Sequence, residues 1–229
     1  MIRLVAVLAL AFAGTTPAQD APELKSPKEK LSYALGMDLG KQFKMQSIEI
    51  NPDAFVQGLK DTLSGSKALL TEEQARVVIS ELQKEMVQKQ QAQMTALAEK
   101  NKAEGQAFLT KNQTAESVVT LPSGLQYKII KAGEGKKPTM DDTVVCNYRG
   151  TLINGTEFDS SYKRNEPTTV PVKGVIKGWI EALQLMPVGS KWQIFVPSEL
   201  AYGERGAGGP VGPNATLIFE VELLSIKDK

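Results

Sequence analysis

VVCNYRGTLINGTEFDSS, residues 144–161, carries the reading that decides the fold. Val144 to Tyr148 forms one strand pattern, and Thr151 to Asp159 runs through Asn154-Gly155. Asn-Gly between apolar-alternating runs is a strong short-range hairpin signal, because both central turn residues must then accept positive φ. Downstream, GVIKGWIEAL (174–183) is long enough for only about two or three helical turns. Trp192 to Val196 reads as another strand, followed by a Gly/Pro-rich loop that carries Ala201-Tyr202-Gly203. TLIFEVEL (216–223) alternates apolar with acidic residues, so one of its faces is buried and the other wet. Residues 143–226 therefore predict a small β scaffold built around one apolar pocket.

Upstream of this stretch, Gln126 to Ile130 predicts the strand that opens the C-terminal domain, and residues 133–138 the turn after it. Residues 114–123 read as a short polar link containing Pro122. Before the link the pattern turns helical. Ser26-Pro27-Lys28-Glu29 is a capping box with proline at the first helical position, where its missing N–H costs nothing. The helix it opens runs to about Phe43, with Leu31, Ala34, Leu35, Leu39 and Phe43 on one stripe. Asn51-Pro52 starts a second helix, ending near Ser64-Gly65, with Phe55, Leu59 and Leu63 four residues apart. Thr71-Glu72-Glu73-Gln74 caps a third. No proline interrupts it before Pro122, so it extends to about Asn112, roughly 60 Å at 1.5 Å per residue.

Two short helices cannot bury both their apolar stripes on each other and need a partner. The long helix has Ala75, Ile79, Leu82 and Met86 in its first half and is almost wholly polar from Gln88 to Gln93. A helix polar all round bridges solvent between domains. These patterns predict an intertwined homodimer module, an exposed stalk over 88–112, and a weak point for bending at Gly105. The rival arrangement is a monomer whose helices fold back on the β domain.

The N-terminus shows Arg3, an apolar run from Leu4 to Ala13, and small residues through Thr16-Pro17-Ala18. That is the pattern of a secretory signal peptide, with a run too short to span a bilayer. The alternative is an uncleaved anchor. The expected boundaries are 1–18 signal peptide, 19–70 helical dimerisation module, 71–113 stalk helix and 114–229 C-terminal domain. The mature chain is expected to be exported without a membrane span. The chain holds 27 basic and 26 acidic residues, a balance that gives no reason to expect nucleic acid or an anionic membrane as partner. Histidine is absent, so no mechanism can use an imidazole base. The single Cys146 can form neither an internal disulfide nor a thiolate metal site. Its strand parity points it inward as a structural thiol.

The motifs FDSS, VIKGW, AYG and NATLIFEVELLSI, in this order and spacing, resemble those of FKBP-type peptidyl-prolyl cis–trans isomerases. The resemblance covers roughly the last 110 residues, and four ordered motifs are far more specific than one. The preceding helices resemble the dimerisation part of the macrophage infectivity potentiator and FkpA-like periplasmic subfamily. Fold class α+β follows: an all-α dimerisation module, a long connecting helix, and an FKBP-like antiparallel sheet wrapped around a short helix.

The resemblance implies a site and a chemistry. Trp179 would floor the pocket under the proline ring, with Val175 and Ile176 beside it. Tyr148, Phe158 and Phe219 would form aromatic walls. The Ile176 backbone N–H and the Tyr202 hydroxyl would hold substrate carbonyls. Asp159 would sit at the mouth with Arg164 and Tyr148, and Val211 would be the contact from a mobile glycine-rich lid. Asp159, Tyr202 and Trp179 are the catalytic candidates, the rest substrate-binding. No metal or cofactor is implied. Taken one at a time, Trp179 and Phe219 read equally as core, Asp159 as a turn residue and Tyr202-Gly203 as loop chemistry. Thr168 departs from the pattern, since many family members carry an aromatic ring there. Its absence would open one wall and weaken macrolide-type inhibitors more than substrate. The expected partners are unfolded, proline-containing exported proteins and a second copy of the chain. The expected location is the periplasm, with outer-membrane association or secretion as alternatives. Two rival functions remain: a holdase chaperone using the cleft between stalks, and a secreted protein acting on a host surface. Asn112, Asn154 and Asn214 lie in N-x-T sequons, which matter only in a glycosylating host.

Overall fold

The computed structural model describes residues 23–227, so the signal-peptide reading of 1–18 lies outside the described residues. The chain divides between Ala75 and Arg76 into two compact units. Among the described residues, no helix is long and apolar enough to cross a membrane.

The first unit holds α1 (Pro27–Met45) and α2 (Pro52–Ser64). Both begin where their caps predict. Ser26 Oγ accepts the Glu29 N–H at 3.2 Å while the Glu29 carboxylate accepts the Ser26 N–H at 2.9 Å. Asn51 Oδ1 accepts the Ala54 N–H, and α2 ends on Gly65 at φ 68°. Phe43 and Phe55 meet edge to face at 5.7 Å. Leu31, Leu35, Leu59 and Leu63 are all more than half exposed. Helix α3 (Glu72–Asn112) opens with a reciprocal Thr71–Gln74 cap.

The second unit is one seven-stranded antiparallel sheet: β1 (Val118–Thr120), β2 (Gln126–Lys131), β3 (Thr143–Leu152), β4 (Glu157–Ser160), β5 (Thr168–Pro171), β6 (Lys191–Val196) and β7 (Leu217–Ile226). Its order is β1-β2-β6-β7-β3-β4, with β5 pairing the first half of β3. Strand β3 lies along the whole of β7, placing Gly150 opposite Phe219 and Tyr148 opposite Val221. Along β7, Leu217, Phe219, Val221 and Leu223 are buried, as the period-two pattern requires. Short α4 (Ser161–Arg164) follows β4, and α5 (Lys177–Leu185) turns Trp179, Ala182 and Leu183 into the core. Cys146 is fully buried between Val144 and Tyr148, and desolvation pushes its thiol up to about 11.

Three local expectations are corrected. The Asn154-Gly155 hairpin has only Gly155 at positive φ (86°); the Gly155 N–H bonds Leu152 O and the Leu152 N–H bonds Thr156 O. That is a type I turn closed by a glycine bulge, with Asn154 Oδ1 holding the Thr156 N–H. Second, the stalk is not solvated throughout. Leu97 to Asn112 lies against the β unit: Phe108 contacts Phe195 at 5.9 Å, Asn112 Nδ2 donates to Gln126 Oε1, and Gln126 Nε2 donates to Leu109 O. Third, Gly105 is no bend in α3. It is buried, and a Cβ there would stand 2.3 Å from Thr216 Oγ1, so only glycine lets helix and sheet approach this closely.

Candidate active site

Several short segments build the site, with Phe219 of β7 and Tyr202 of the loop after β6 completing it. Strand β3 supplies Tyr148 and Gly150, whose missing side chain leaves room for Phe158 and Phe219; a Cβ there would meet both rings within 3 Å. Strand β4 carries Phe158-Asp159. The turn between β5 and α5 carries Val175 and Ile176, and the first turn of α5 carries Trp179.

They enclose a cavity of about 300 Å³ lined by Tyr148, Phe158, Asp159, Val175, Ile176, Trp179, Tyr202 and Phe219, together with Thr168, Val170 and Gly174. Trp179 is 6% exposed and packs edge to face on Tyr148 (5.3 Å) and Phe219 (5.4 Å); Phe219 meets Phe158 in the same way at 5.6 Å. Such perpendicular ring pairs stabilise by about 0.5–1.5 kcal/mol each beyond their burial and fix ring orientation. The core and pocket readings of Trp179 and Phe219 are thus compatible, because each ring has one side in the core and one on the cavity.

A polar cluster closes the mouth. The Tyr148 hydroxyl donates to Asp159 Oδ2. Arg164 donates to Asp159 Oδ1 at 2.5 Å, to the Tyr148 hydroxyl at 3.0 Å and to Thr168 Oγ1 at 3.2 Å, with its guanidinium over the Tyr148 ring. The Ser160 N–H adds a bond to Asp159 Oδ1. Partial burial opposes ionisation of Asp159, yet the bonds from Tyr148 and Arg164 and the cationic charge outweigh it and hold the carboxyl below its usual range. Burial and the Asp159 carboxylate push the Tyr148 phenol up against the smaller opposing effect of Arg164. Behind the cluster, buried Ser161 at the start of α4 takes the Tyr148 N–H on its hydroxyl, which fixes α4 against β3.

Two residues that line this space carry uncommitted donors. Among the described residues, neither the Ile176 backbone N–H nor the Tyr202 hydroxyl makes a hydrogen bond. Tyr202 is 42% exposed.

Most of the sequence candidates converge here, and two do not line the cavity. Arg164 acts through Asp159 and Tyr148 and does not line the cavity. Val211 is 4% exposed and belongs to the hydrophobic core, away from the cavity wall. Its loop folds into a tight turn, Ala207 N–H to Val211 O and Val211 N–H to Gly208 O, which plugs that side chain inward. Val170 and Gly174 were not foreseen. Val170 follows from Thr168 by strand parity once β5 is recognised.

A family model described as the FKBP-type peptidyl-prolyl cis-trans isomerase matches residues 134–224. A second, the domain amino-terminal to such isomerases, matches 28–129. The outer membrane protein MIP of Legionella longbeachae is 53% identical over 97% of this chain and 95% of its own. The FKBP-type 22 kDa isomerase of Escherichia coli is 43% identical over 93% of this chain and 99% of its own. The crystal structure of FkpA from Escherichia coli superposes with a TM-score of 0.73 at 36% identity, covering 90% of this chain and 99% of that one. An aromatic cavity mouthed by Asp159 and floored by Trp179, borne on a chain alike from end to end, places this protein in the FKBP-type peptidyl-prolyl cis–trans isomerase family.

Proposed function

We propose that the cavity accelerates rotation about X–Pro amides of exported proteins by desolvation, with Asp159, Tyr202 and Trp179 as its central residues. The observation that carries this is the pairing of an apolar aromatic enclosure with two uncommitted donors, the Ile176 N–H and the Tyr202 hydroxyl. The uncatalysed barrier, about 18–20 kcal/mol, comes from C–N resonance. Twisting the amide breaks that resonance and makes it less dipolar. A dry apolar pocket solvates the planar ground state poorly and so favours the twisted form. The two donors hold flanking carbonyls while the proline ring rests on Trp179. Asp159, kept ionised by Arg164, faces the amide as a fixed negative charge rather than as a base. No bond to substrate forms or breaks.

The homodimer reading rests on the first unit, where Leu31, Leu35, Leu59 and Leu63 present open apolar faces in a single chain. Two cavities joined in one dimer would engage one client bivalently and raise effective concentration. Export follows from the N-terminal pattern. A holdase role for the helical part is the second reading, favoured by the same exposed faces.

The test is a prolyl-peptide isomerisation assay on full-length Tyr202→Phe and Asp159→Ala, with light scattering for size. The ratio kcat/KM should fall about tenfold in each, the worth of one hydrogen bond near 1.4 kcal/mol, with size unchanged. An undiminished kcat/KM in both sinks the site. Leu35→Asp should shift the mass toward a single chain.

A further inference from the structure

Helix α3 touches the loop that leaves the site, and it does so through side chains aimed at backbone. Asn101 Nδ2 donates to Pro213 O at 2.8 Å, and Asn214 Nδ2 donates back to Ala98 O at 3.4 Å. Gly212 fits between them; a Cβ there would stand 3.1 Å from Leu97 Cδ2 and 3.3 Å from Asn101 Nδ2. One turn further along, Gly105 seats on Thr216. The helix thus grips residues 212–216 at both ends.

Those residues are also bonded to the start of the same loop. Asn214 stands at φ 53°, a left-handed backbone that asparagine tolerates better than most side chains. In that conformation its N–H donates to Gly203 O at 2.8 Å. Gly203 O also accepts the Gly206 N–H, so it is the node of the turn that begins at Tyr202. The path from helix to cavity is short: Asn101 side chain, Pro213 carbonyl, Asn214 amide, Gly203 carbonyl, Tyr202. Tyr202 itself makes no hydrogen bond among the described residues, so no hydrogen bond fixes its hydroxyl and its placement depends on its backbone and the packing of its ring.

We propose that Asn101 and Asn214 are positioning residues for peptide binding, and that α3 sets the placement of the Tyr202 hydroxyl through them. The proposal rests on the reading of Tyr202 as a substrate-holding donor. A helix usually regarded as a connector becomes part of the binding site: a load that tilts its last turns shifts Pro213, then Gly203, then Tyr202. Misplacing a hydrogen-bond donor by a fraction of an ångström weakens binding without touching the ring that carries the proline. Because the hydroxyl holds substrate in planar and twisted forms alike, its displacement should appear in KM and leave kcat nearly unchanged.

The experiment uses the full-length chain with Asn101→Asp, which keeps the shape and sets a carboxylate against the Pro213 carbonyl, and Asn214→Gly, which keeps the backbone conformation and deletes the side chain. Each is made alone and with Tyr202→Phe, and each is followed by steady-state isomerisation of a prolyl peptide and by amide hydrogen exchange of residues 203–214. Expected are faster exchange across 203–214, a KM raised about three- to tenfold with kcat within about twofold, and loss of that KM effect in the Tyr202→Phe background. Unchanged exchange in both variants overturns the proposal. So does a KM effect of equal size with and without the Tyr202 hydroxyl, or a fall in kcat at constant KM. An unchanged kcat/KM of Tyr202→Phe alone would defeat the reading of the site itself, a result separable from exchange data, which report the grip of α3 whatever the activity.

Discussion

Arg164 reaches Asp159 Oδ1 at 2.5 Å and, with its other terminal nitrogen, the hydroxyl that Tyr148 turns toward the same carboxylate. One cation therefore holds both the acid and the phenol at the cavity mouth. Because Arg164 is a fork of fixed geometry, a lysine could hold one partner but not both.

Arg164→Ala should leave Asp159 with Tyr148 and the Ser160 N–H only, and its pKa should rise. Asp159 in the native protein sits below the ordinary carboxylate range, so the stability it lends is present above the unfolded value near 4 and is lost as pH falls through the lower folded value. The acid limb of kcat/KM should thus move to higher pH in the variant. A profile over pH 3–7 measures it, and coincident acid limbs would count against the cluster.

Between roughly pH 5 and 9 the native enzyme should show a flat profile. Asp159 is ionised throughout that span, and Tyr148 is pushed above its usual value near 10. The chain has no histidine to add a limb. A bell with a midpoint near neutrality would mean that some group acts as acid or base.

Thr168→Phe should add a ring to the cavity wall and shrink the 300 Å³ space. It also deletes the hydroxyl that receives the Arg164 bond. Affinity for a macrolide-type inhibitor should increase about tenfold or more through added apolar contact, while peptide turnover changes less. Calorimetric titration against the two proteins decides it.

Gly105→Ala gains about 1 kcal/mol of helix propensity but drives a methyl to 2.3 Å from Thr216 Oγ1. Overpacking of this kind costs about 1–3 kcal/mol, so the clash should win or cancel. Urea unfolding followed by tryptophan fluorescence should show a lower midpoint, partly restored by adding Thr216→Ala. A higher midpoint in Gly105→Ala alone would show that the helix is not seated there.

Legibility in the sequence followed contiguity. Val175, Ile176 and Trp179 sit within five residues, and Phe158-Asp159 are adjacent, so local motifs located most of the cavity. Helix starts were legible because capping is a contact within four residues. The burial of Val211 is not legible in the sequence, because a glycine-heavy run looks the same whether it is open or, as here, curls back and buries its one large apolar side chain. The docking of α3 was hidden for another reason. Its contacts come from Asn101, Gly105 and Asn112, residues that periodicity counts as polar or weak, and the partners of the first two lie more than a hundred residues away at Pro213 and Thr216. The one available clue was Gly105, a glycine without an evident local purpose inside a long helix.

Cys146, sealed beneath β3 and β7 with its thiolate suppressed, makes this chain a blank slate for sulfhydryl labelling. A reporter cysteine placed at the hairpin tip, Asn154→Cys for instance, would take a spin label or fluorophore alone. In the proposed dimer, the spacing between two isomerase units, and any change in it on adding an unfolded proline-containing protein, could then be read directly from native-like protein with no background reactive thiol to remove.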